Sequence, residues 1–288
     1  MKKKILKILS LILSLSFLLL IFTSCSITMG NPNSEENLEK EKIKKIEDSI
    51  KKSKLQYPAK NESFHYNVYE DYIAITKYCG TETEVVVPEK IEDLPVYVLK
   101  DEVFREMNVT KIKIAEGIIE IGENCFRSCE ELEEILLPKS LRRIGDNAMA
   151  QCSSLIEITF PENLSVIPYS VCYECKSLKT VTILSKIEES SIEDSAFLRC
   201  SLLENVYMTE KIERIASTAF TDISPDVVFH APKGCAAAQY CADKLFAYRV
   251  VENADKVEET TENGEIVEET TTEDDAGMTE DMMEIEQN

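Results

Sequence analysis

The middle of the chain contains an internal repeat of about 23 residues, and this repeat limits the possible folds more than any other feature. One column of the repeat is occupied by Phe104, Phe126, Met149, Cys172, Phe197 and Phe220. Three residues later, a second column holds Met107, Cys129, Cys152, Cys175, Cys200 and Ile223. A unit this short cannot bury its apolar side chains alone. The pattern therefore predicts a solenoid in which successive coils stack to form one continuous core.

Each unit also contains a short stretch of alternating apolar residues, such as Leu132, Ile135 and Leu137. Alternation with a period of two is typical of a short strand, and stacking the units would align these strands in a parallel ladder. The residues between the apolar positions should then point outward. We take these as the candidate protein-binding surface: Lys111, Lys113, Glu134, Leu136, Glu157, Thr159, Thr180, Thr182, Asn205 and Tyr207.

The repeat resembles a known family. The stretches Ile135-Leu-Leu-Pro138, Leu141-Arg-Arg-Ile-Gly145, Ala148-Met149 and Cys152-Ser-Ser-Leu155 are similar to the cysteine-containing leucine-rich repeats of BspA-like bacterial surface proteins. The resemblance implies an α/β leucine-rich-repeat solenoid with short or irregular convex segments. It would span residues 61–251, as an N-terminal cap (61–103), repeats (104–223) and a C-terminal cap (224–251). It also implies a role as an adhesin that engages host matrix proteins or other cells.

The N-terminus has the composition of a secretory leader. Lysines at positions 2, 3, 4 and 7 precede an apolar run, 8–22, and Thr23-Ser24-Cys25 follows. This order resembles a bacterial lipoprotein signal peptide, 1–24, with Cys25 as the lipidated residue. An uncleaved membrane anchor is the alternative, because the run is nearly long enough to cross a bilayer. Either form would place an exported protein on the outer face of the cell membrane.

Two polar segments flank the repeats. Residues 25–60 are rich in Lys and Glu, with Ile43, Ile46 and Ile50 at helical spacing, and we interpret them as a partly helical, membrane-proximal spacer. Residues 252–288 contain fifteen Asp or Glu against Lys256 alone, and this composition predicts a disordered tail. The net charge of −21 argues against nucleic acid as a partner, since phosphate binding needs clustered Lys and Arg.

Ten cysteines in an exported protein raise the question of disulfides or metal, and Cys172-Tyr-Glu-Cys175 has the spacing of a redox or zinc motif. The repeat offers a simpler explanation, because both residues fall in its inward columns and would pack as small apolar side chains. A disulfide between neighbouring coils stays open, since coils about 4.8 Å apart lie within the Cα range of a disulfide. We predict no metal and no cofactor.

Catalysis by a Ser/His/Asp or Cys/His group needs a histidine beside its partners. The only histidines, His65 and His230, should lie some seven coils, or about 35 Å, apart. We therefore predict a monomeric binding protein and not an enzyme. Its partner would be an extracellular protein. A glycan or cell-wall receptor is the second hypothesis, and a hydrolase using paired carboxylates is the third.

Overall fold

The structure, a computed structural model, describes residues 32–251, which form two helices and eighteen short strands. In chain order these are α1 (Pro32–Lys52), β1 (Leu55–Lys60), β2 (Phe64–Tyr69), β3 (Ile73–Tyr78), β4 (Glu84–Val87), β5 (Lys90–Ile91), β6 (Leu94–Leu99), β7 (Lys111–Ile114), β8 (Glu120–Ile121), β9 (Glu134–Leu136), β10 (Arg143–Ile144), β11 (Glu157–Phe160), β12 (Val166–Ile167), β13 (Thr180–Ile183), β14 (Ser190–Ile192), β15 (Asn205–Met208), β16 (Ile212–Ile215), β17 (Val228–Ala231), α2 (Ala236–Lys244) and β18 (Ala247–Val250). The predicted signal peptide, Cys25 and the acidic tail lie outside the described residues.

The strands form two parallel ladders on a solenoid of about eight turns, which confirms the predicted leucine-rich-repeat fold. The first ladder consists of β4, β7 and β9, followed by β11, β13, β15, β17 and β18. The second ladder runs through β3, β6, β8 and β10 and continues in β12, β14 and β16. The second apolar pair of each repeat unit forms this second ladder, which the sequence pattern alone did not identify as strands.

The core is a narrow stack of inward side chains between the two ladders and the convex turns. Phe104 and Phe126 are fully buried, and their rings stack with centroids 5.4 Å apart. Phe197 and Phe220 form an equivalent pair at 4.9 Å. Each ring therefore packs against its counterpart in the next coil, as the repeat predicted.

The convex turns are held together by hydrogen bonds between coils. In most coils, two residues four positions apart adopt a positive φ although they are not glycine, for example Asn124 at 53° and Ser128 at 59°. This left-handed backbone lets Phe126 N donate to Ala148 O at 2.7 Å and Ser128 N donate to Ala150 O at 2.8 Å. These bonds to the next coil satisfy buried backbone groups, which offsets the cost of the strained φ.

The cysteine column forms a third set of contacts between coils. Each thiol donates a weak hydrogen bond of 3.0–3.1 Å to a carbonyl of the preceding coil: Cys129 to Phe104, Cys152 to Phe126, Cys175 to Met149 and Cys200 to Cys172. The inward packing predicted for these cysteines is confirmed, because all four are fully buried. All nine cysteines of residues 32–251 are free thiols. The interpretation as apolar filling was incomplete, since these thiols are also hydrogen-bond donors.

The N-terminal sheet begins before the boundary predicted at residue 61. Strand β1 pairs antiparallel with β2, from Leu55 opposite Tyr69 to Lys60 opposite His65. Residues 55–60 therefore belong to the cap and not to the predicted spacer, 25–60. Leu55, Tyr57 and Ala59 alternate with Gln56, Pro58 and Lys60, but a proline within so short a run argues against a strand, and most of these residues are exposed at the edge of the sheet.

Helix α1 packs against the solenoid. Ile43 is only 6% exposed, and Ile50 packs on a cluster formed by Tyr72, Ala74 and Val98. Glu47 forms an ion pair with Arg143 of β10 at 3.7 Å. The predicted helical character of this segment is confirmed, but the helix lies along the second ladder. Between residues 32 and 251, no helix is both long enough and apolar enough to cross a membrane.

Replacing Phe126 by Ala should destabilise the solenoid by about 3–5 kcal/mol, because the change leaves a cavity inside the ring stack. The midpoint of urea unfolding measures this loss. Tyr169→Ala is the control, since Tyr169 is 49% exposed and its truncation should change stability by less than about 0.5 kcal/mol. Equal effects of the two substitutions would contradict the proposed core.

Replacing Ile43 by Asp should release α1 from the second ladder without unfolding the coils. We expect the helix amides to exchange with solvent roughly thirty-fold faster, which corresponds to a loss of about 2 kcal/mol of docking free energy. Leu38→Asp is the matched control, because Leu38 lies on the same helix and is 55% exposed. Hydrogen exchange resolved by residue checks both, and no difference between the variants would refute the docking.

The buried thiols should resist alkylation in the native protein. Burial raises the pKa of the Cys129 thiol to about 11 and those of Cys152 and Cys200 well above the usual value. At pH 8 these groups stay protonated, whereas alkylation needs the thiolate. Among residues 32–251, iodoacetamide should modify only Cys79 and Cys235, which are the two that are not buried. Mass spectrometry before and after adding denaturant checks this, and rapid native modification of Cys152 would contradict it.

Candidate binding surface

The outward side chains of the first ladder form two parallel rows, which we call the ladder face. Strand register, and the repeat spacing between β9 and β11, align the first row as Glu84, Lys111, Glu134, Glu157, Thr180, Asn205, Val228 and Ala247. The second row is Val86, Lys113, Leu136, Thr159, Thr182, Tyr207, His230 and Arg249. All ten positions predicted from the sequence therefore lie on one ladder. The two caps add six further positions.

The N-terminal half of the ladder face combines one neutralised ion pair with exposed aliphatic side chains. Lys111 Nζ lies 2.5 Å from Glu134 Oε2, and this hydrogen bond raises the pKa of the lysine. In the second row, Val86 is 64% exposed and Leu136 is 44% exposed, on either side of Lys113. This half of the face is thus partly apolar, with Lys113 as an exposed cation at its centre.

The C-terminal half contains an ordered aromatic cluster. The rings of Tyr207 and His230 stack with centroids 4.3 Å apart and an interplanar angle of 17°. His230 Nε2 lies 3.0 Å from Asn205 Oδ1 in the neighbouring rung. Burial, together with repulsion from Arg249, lowers the pKa of His230, so the imidazole is neutral at pH 7. A neutral His230 donates from Nε2 to the Asn205 oxygen, and this bond holds the stack in place.

One predicted position is not displayed. Thr182 is only 6% exposed, although the sequence placed it among the outward residues. Its neighbours across the ladder are Thr159 and Tyr207. A short side chain between two rungs, one of which carries a tyrosine, is largely covered even where it points outward. Thr182 therefore supports the surface more than it contributes contact area.

Arg249 was missed as an exposed candidate for the binding surface, and His230, which is only 7% exposed, was missed as the side chain that supports Tyr207. The sequence pattern suggests His230 only as a candidate catalytic group and places the segment around residues 227–231 in the C-terminal cap. A signal was present, because Val227, Phe229 and Ala231 alternate with Val228 and His230 as in the repeats. The buried positions Phe229 and Ala231 confirm that this alternation continues the ladder.

The histidines do not form a shared site. His65 lies on β2 in the N-terminal cap, and His230 lies on β17 near the opposite end of the solenoid. Between residues 32 and 251, no cluster of three or more His, Cys, Asp or Glu side chains is arranged to hold a metal ion.

Charged side chains on other faces bond mainly to the neighbouring coil. Arg143 pairs with Glu120 at 2.6 Å, and Arg199 pairs with Glu174 at 3.0 Å. The Arg199 guanidinium also lowers the pKa of the Glu174 carboxyl. Such exposed pairs individually contribute little to stability, but they hold these side chains in contact with other residues of the solenoid.

Comparison with known proteins agrees with this geometry. Residues 97–225 match the model of the BspA type leucine rich repeat region in six copies. A leucine-rich repeat protein of T. pallidum is 24% identical with a TM-score of 0.50, covering 67% of this chain and 100% of its own. The pneumococcal vaccine antigen PcpA is 20% identical, also at a TM-score of 0.50. It covers 67% of this chain, which spans about half (48%) of the antigen.

A leucine rich cell surface protein of Faecalibacterium prausnitzii is 22% identical at a TM-score of 0.47, over 62% of this chain and 55% of its own. No curated protein matches the sequence. The six repeat copies coincide with the coils, the buried cysteine column and the two ladders described above. The repeat region of this chain, residues 97–225, therefore belongs to the BspA-type leucine-rich repeats.

Proposed function

We propose that this chain is an exported, lipid-anchored surface protein that binds an extracellular protein through the ladder face, in adhesion to host or neighbouring cells. The leader, 1–24, and the candidate lipidation site, Cys25, support export and anchoring. The repeat family and the fold shared with the pneumococcal vaccine antigen support a surface role. The fold itself offers a rigid ladder for recognition.

The observation that carries the proposal is the cluster of Tyr207, His230 and Asn205. Tyr207 is the ring that a partner can reach, since it is partly exposed and His230 is only 7% exposed. The Tyr207 ring loses little conformational entropy when a partner packs on it, because it is already stacked on the hydrogen-bonded His230. Tyrosine is also enriched among the residues that dominate binding energy in protein interfaces. The exposed Arg249 extends the second row past His230 and adds a charged contact at the edge of the cluster.

Two other functions stay as alternatives. A glycan or cell-wall receptor would use the same Tyr207 ring, supported by His230, for stacking on sugars, so the experiment below includes it. A hydrolase would need two carboxylates that converge in a buried cleft. The carboxylates whose pKa is lowered, Glu82 and Glu174, are instead bonded to tyrosine or arginine side chains of this chain near the surface.

The double substitution Tyr207→Ala and His230→Ala should strongly weaken specific capture of the partner. Residues 26–288 would be tested against immobilised extracellular matrix proteins and against purified cell-wall glycan. The affinity for the class that contains the partner should fall by about thirty-fold or more, as expected when a central aromatic contact is lost. Surface plasmon resonance measures both affinities.

Tyr169→Ala is the control, because this exposed tyrosine lies outside the ladder face. Circular dichroism would confirm that the double variant is folded. Loss of glycan binding alone would favour the receptor hypothesis over the adhesin hypothesis. Protein capture that is unchanged in the double variant would refute the ladder face as the binding surface.

A further inference from the structure

The two ladders end differently at the N-terminal side of the solenoid. The second ladder continues past β3 into the cap strands β2 and β1. The first ladder stops at β4, which pairs with β7 on one edge and with no other strand of residues 32–251. One more strand could therefore pair with β4 at the start of the first ladder, but no strand of residues 32–251 occupies that position. We call it the vacant rung.

The backbone groups on the open edge of β4 are available for pairing. Thr83 O accepts a hydrogen bond from Thr110 N at 2.7 Å, and Val87 O accepts one from Ala115 N at 3.2 Å, so these carbonyls face β7. Successive residues of a strand direct their amide and carbonyl groups to opposite edges. The groups of Glu84 and Val86 consequently face the vacant rung. An edge of this kind is a template for another extended chain.

A cleft of about 460 Å³ lies beside this edge. Its lining combines apolar side chains with polar and charged ones: Phe64, Val86, Pro88 and Ile91, together with Asn61, Ser63, Tyr66, Lys90 and Glu92. Tyr66 donates a hydrogen bond of 3.0 Å from its hydroxyl to Glu92 Oε1, which fixes the wall of the cleft. The cap thus covers the core beside β4 and leaves an open cleft of mixed apolar and polar lining next to the free edge of that strand.

The charges around the vacant rung indicate what would fill it. Strand β7, on the other edge of β4, has the sequence Lys-Ile-Lys-Ile, and its two lysines lie opposite Glu84 and Val86. Glu84 and Glu92 are both exposed. An incoming strand that alternates apolar and basic residues would repeat the pairing of β7. A basic side chain of that strand would lie beside Glu84, as Lys111 does on the other edge, whereas Lys90 in the cleft lining balances Glu92.

We propose that the vacant rung binds an extended segment of a partner protein in which apolar residues alternate with Lys or Arg, and that this segment adds to β4 as a further strand. Main-chain hydrogen bonds to Glu84 and Val86 supply affinity, and the apolar residues of the cleft together with the Glu84 carboxylate select the side chains. The site is separate from the aromatic cluster of the ladder face, and it does not depend on the function proposed above.

A synthetic peptide with the sequence of residues 109–116, which contains β7, is the probe, and the leaderless chain 26–288 is the receptor. We expect saturable binding in calorimetry and at least about tenfold slower hydrogen exchange of the Glu84 and Val86 amides in the complex. A peptide with both lysines changed to glutamate should bind about tenfold more weakly or worse. The Tyr207→Ala, His230→Ala variant should bind the probe normally.

Val86→Lys is the test variant and Leu136→Lys is its matched control. Both positions are exposed aliphatic residues of the second row and flank Lys113 equally, but only Val86 lines the cleft. Val86→Lys should weaken probe binding by about tenfold or more, and Leu136→Lys should leave it unchanged. No binding, equal effects of the two variants, or unprotected Glu84 and Val86 amides in the complex would overturn the proposal. Protection of these amides by self-association without peptide would also overturn it, because another copy of the chain would then fill the edge.

Discussion

Every other feature of this structure depends on the fact that a coil of about 23 residues cannot bury its own apolar side chains. Phe126 is buried because the ring of Phe104 covers it from the preceding coil, and the same holds for Phe220 on Phe197. The hydrogen bonds of the convex turns and those of the cysteine thiols repeat at the same interval as the rings. A single spacing between coils therefore allows ring stacking, backbone hydrogen bonds and thiol hydrogen bonds at once. Inward positions are consequently restricted, whereas outward positions of the ladders are free to vary.

This freedom explains why the ladder face is uneven along the solenoid. The ladder face changes from an ion pair and exposed aliphatic side chains near β4 to a stacked Tyr207 and His230 near β17. The inward columns stay apolar over the same distance. Helix α1 occupies part of the second ladder, which leaves the first ladder as the open parallel surface. The side chains that differ most between coils thus lie at the outward positions of the first ladder, where core packing does not restrict the residue type.

The repeat made most of the fold predictable. The inward columns, the first ladder and the ten outward positions follow from the spacing of Phe126, Cys129 and Ile135 and their counterparts, since period and alternation are local properties of the sequence. The docking of α1 was not predictable, because it depends on tertiary contacts such as that between Glu47 and Arg143, and the alternation in β1 was masked by Pro58. The burial of Thr182 and the stacking of His230 on Tyr207 arise from neighbours about 25 residues away, so only the three-dimensional register shows them.

The most direct test of the binding role of the ladder face is site-specific photo-crosslinking on intact cells. A photoreactive phenylalanine analogue would be placed at Tyr207 in one strain and at Tyr169 in another, so that both probes are displayed by the same solenoid. If the partner binds the ladder face, we expect one discrete extracellular protein to be crosslinked from position 207 and none from position 169. Crosslinks from position 169 alone, or the same products from both positions, would contradict a partner bound to the ladder face.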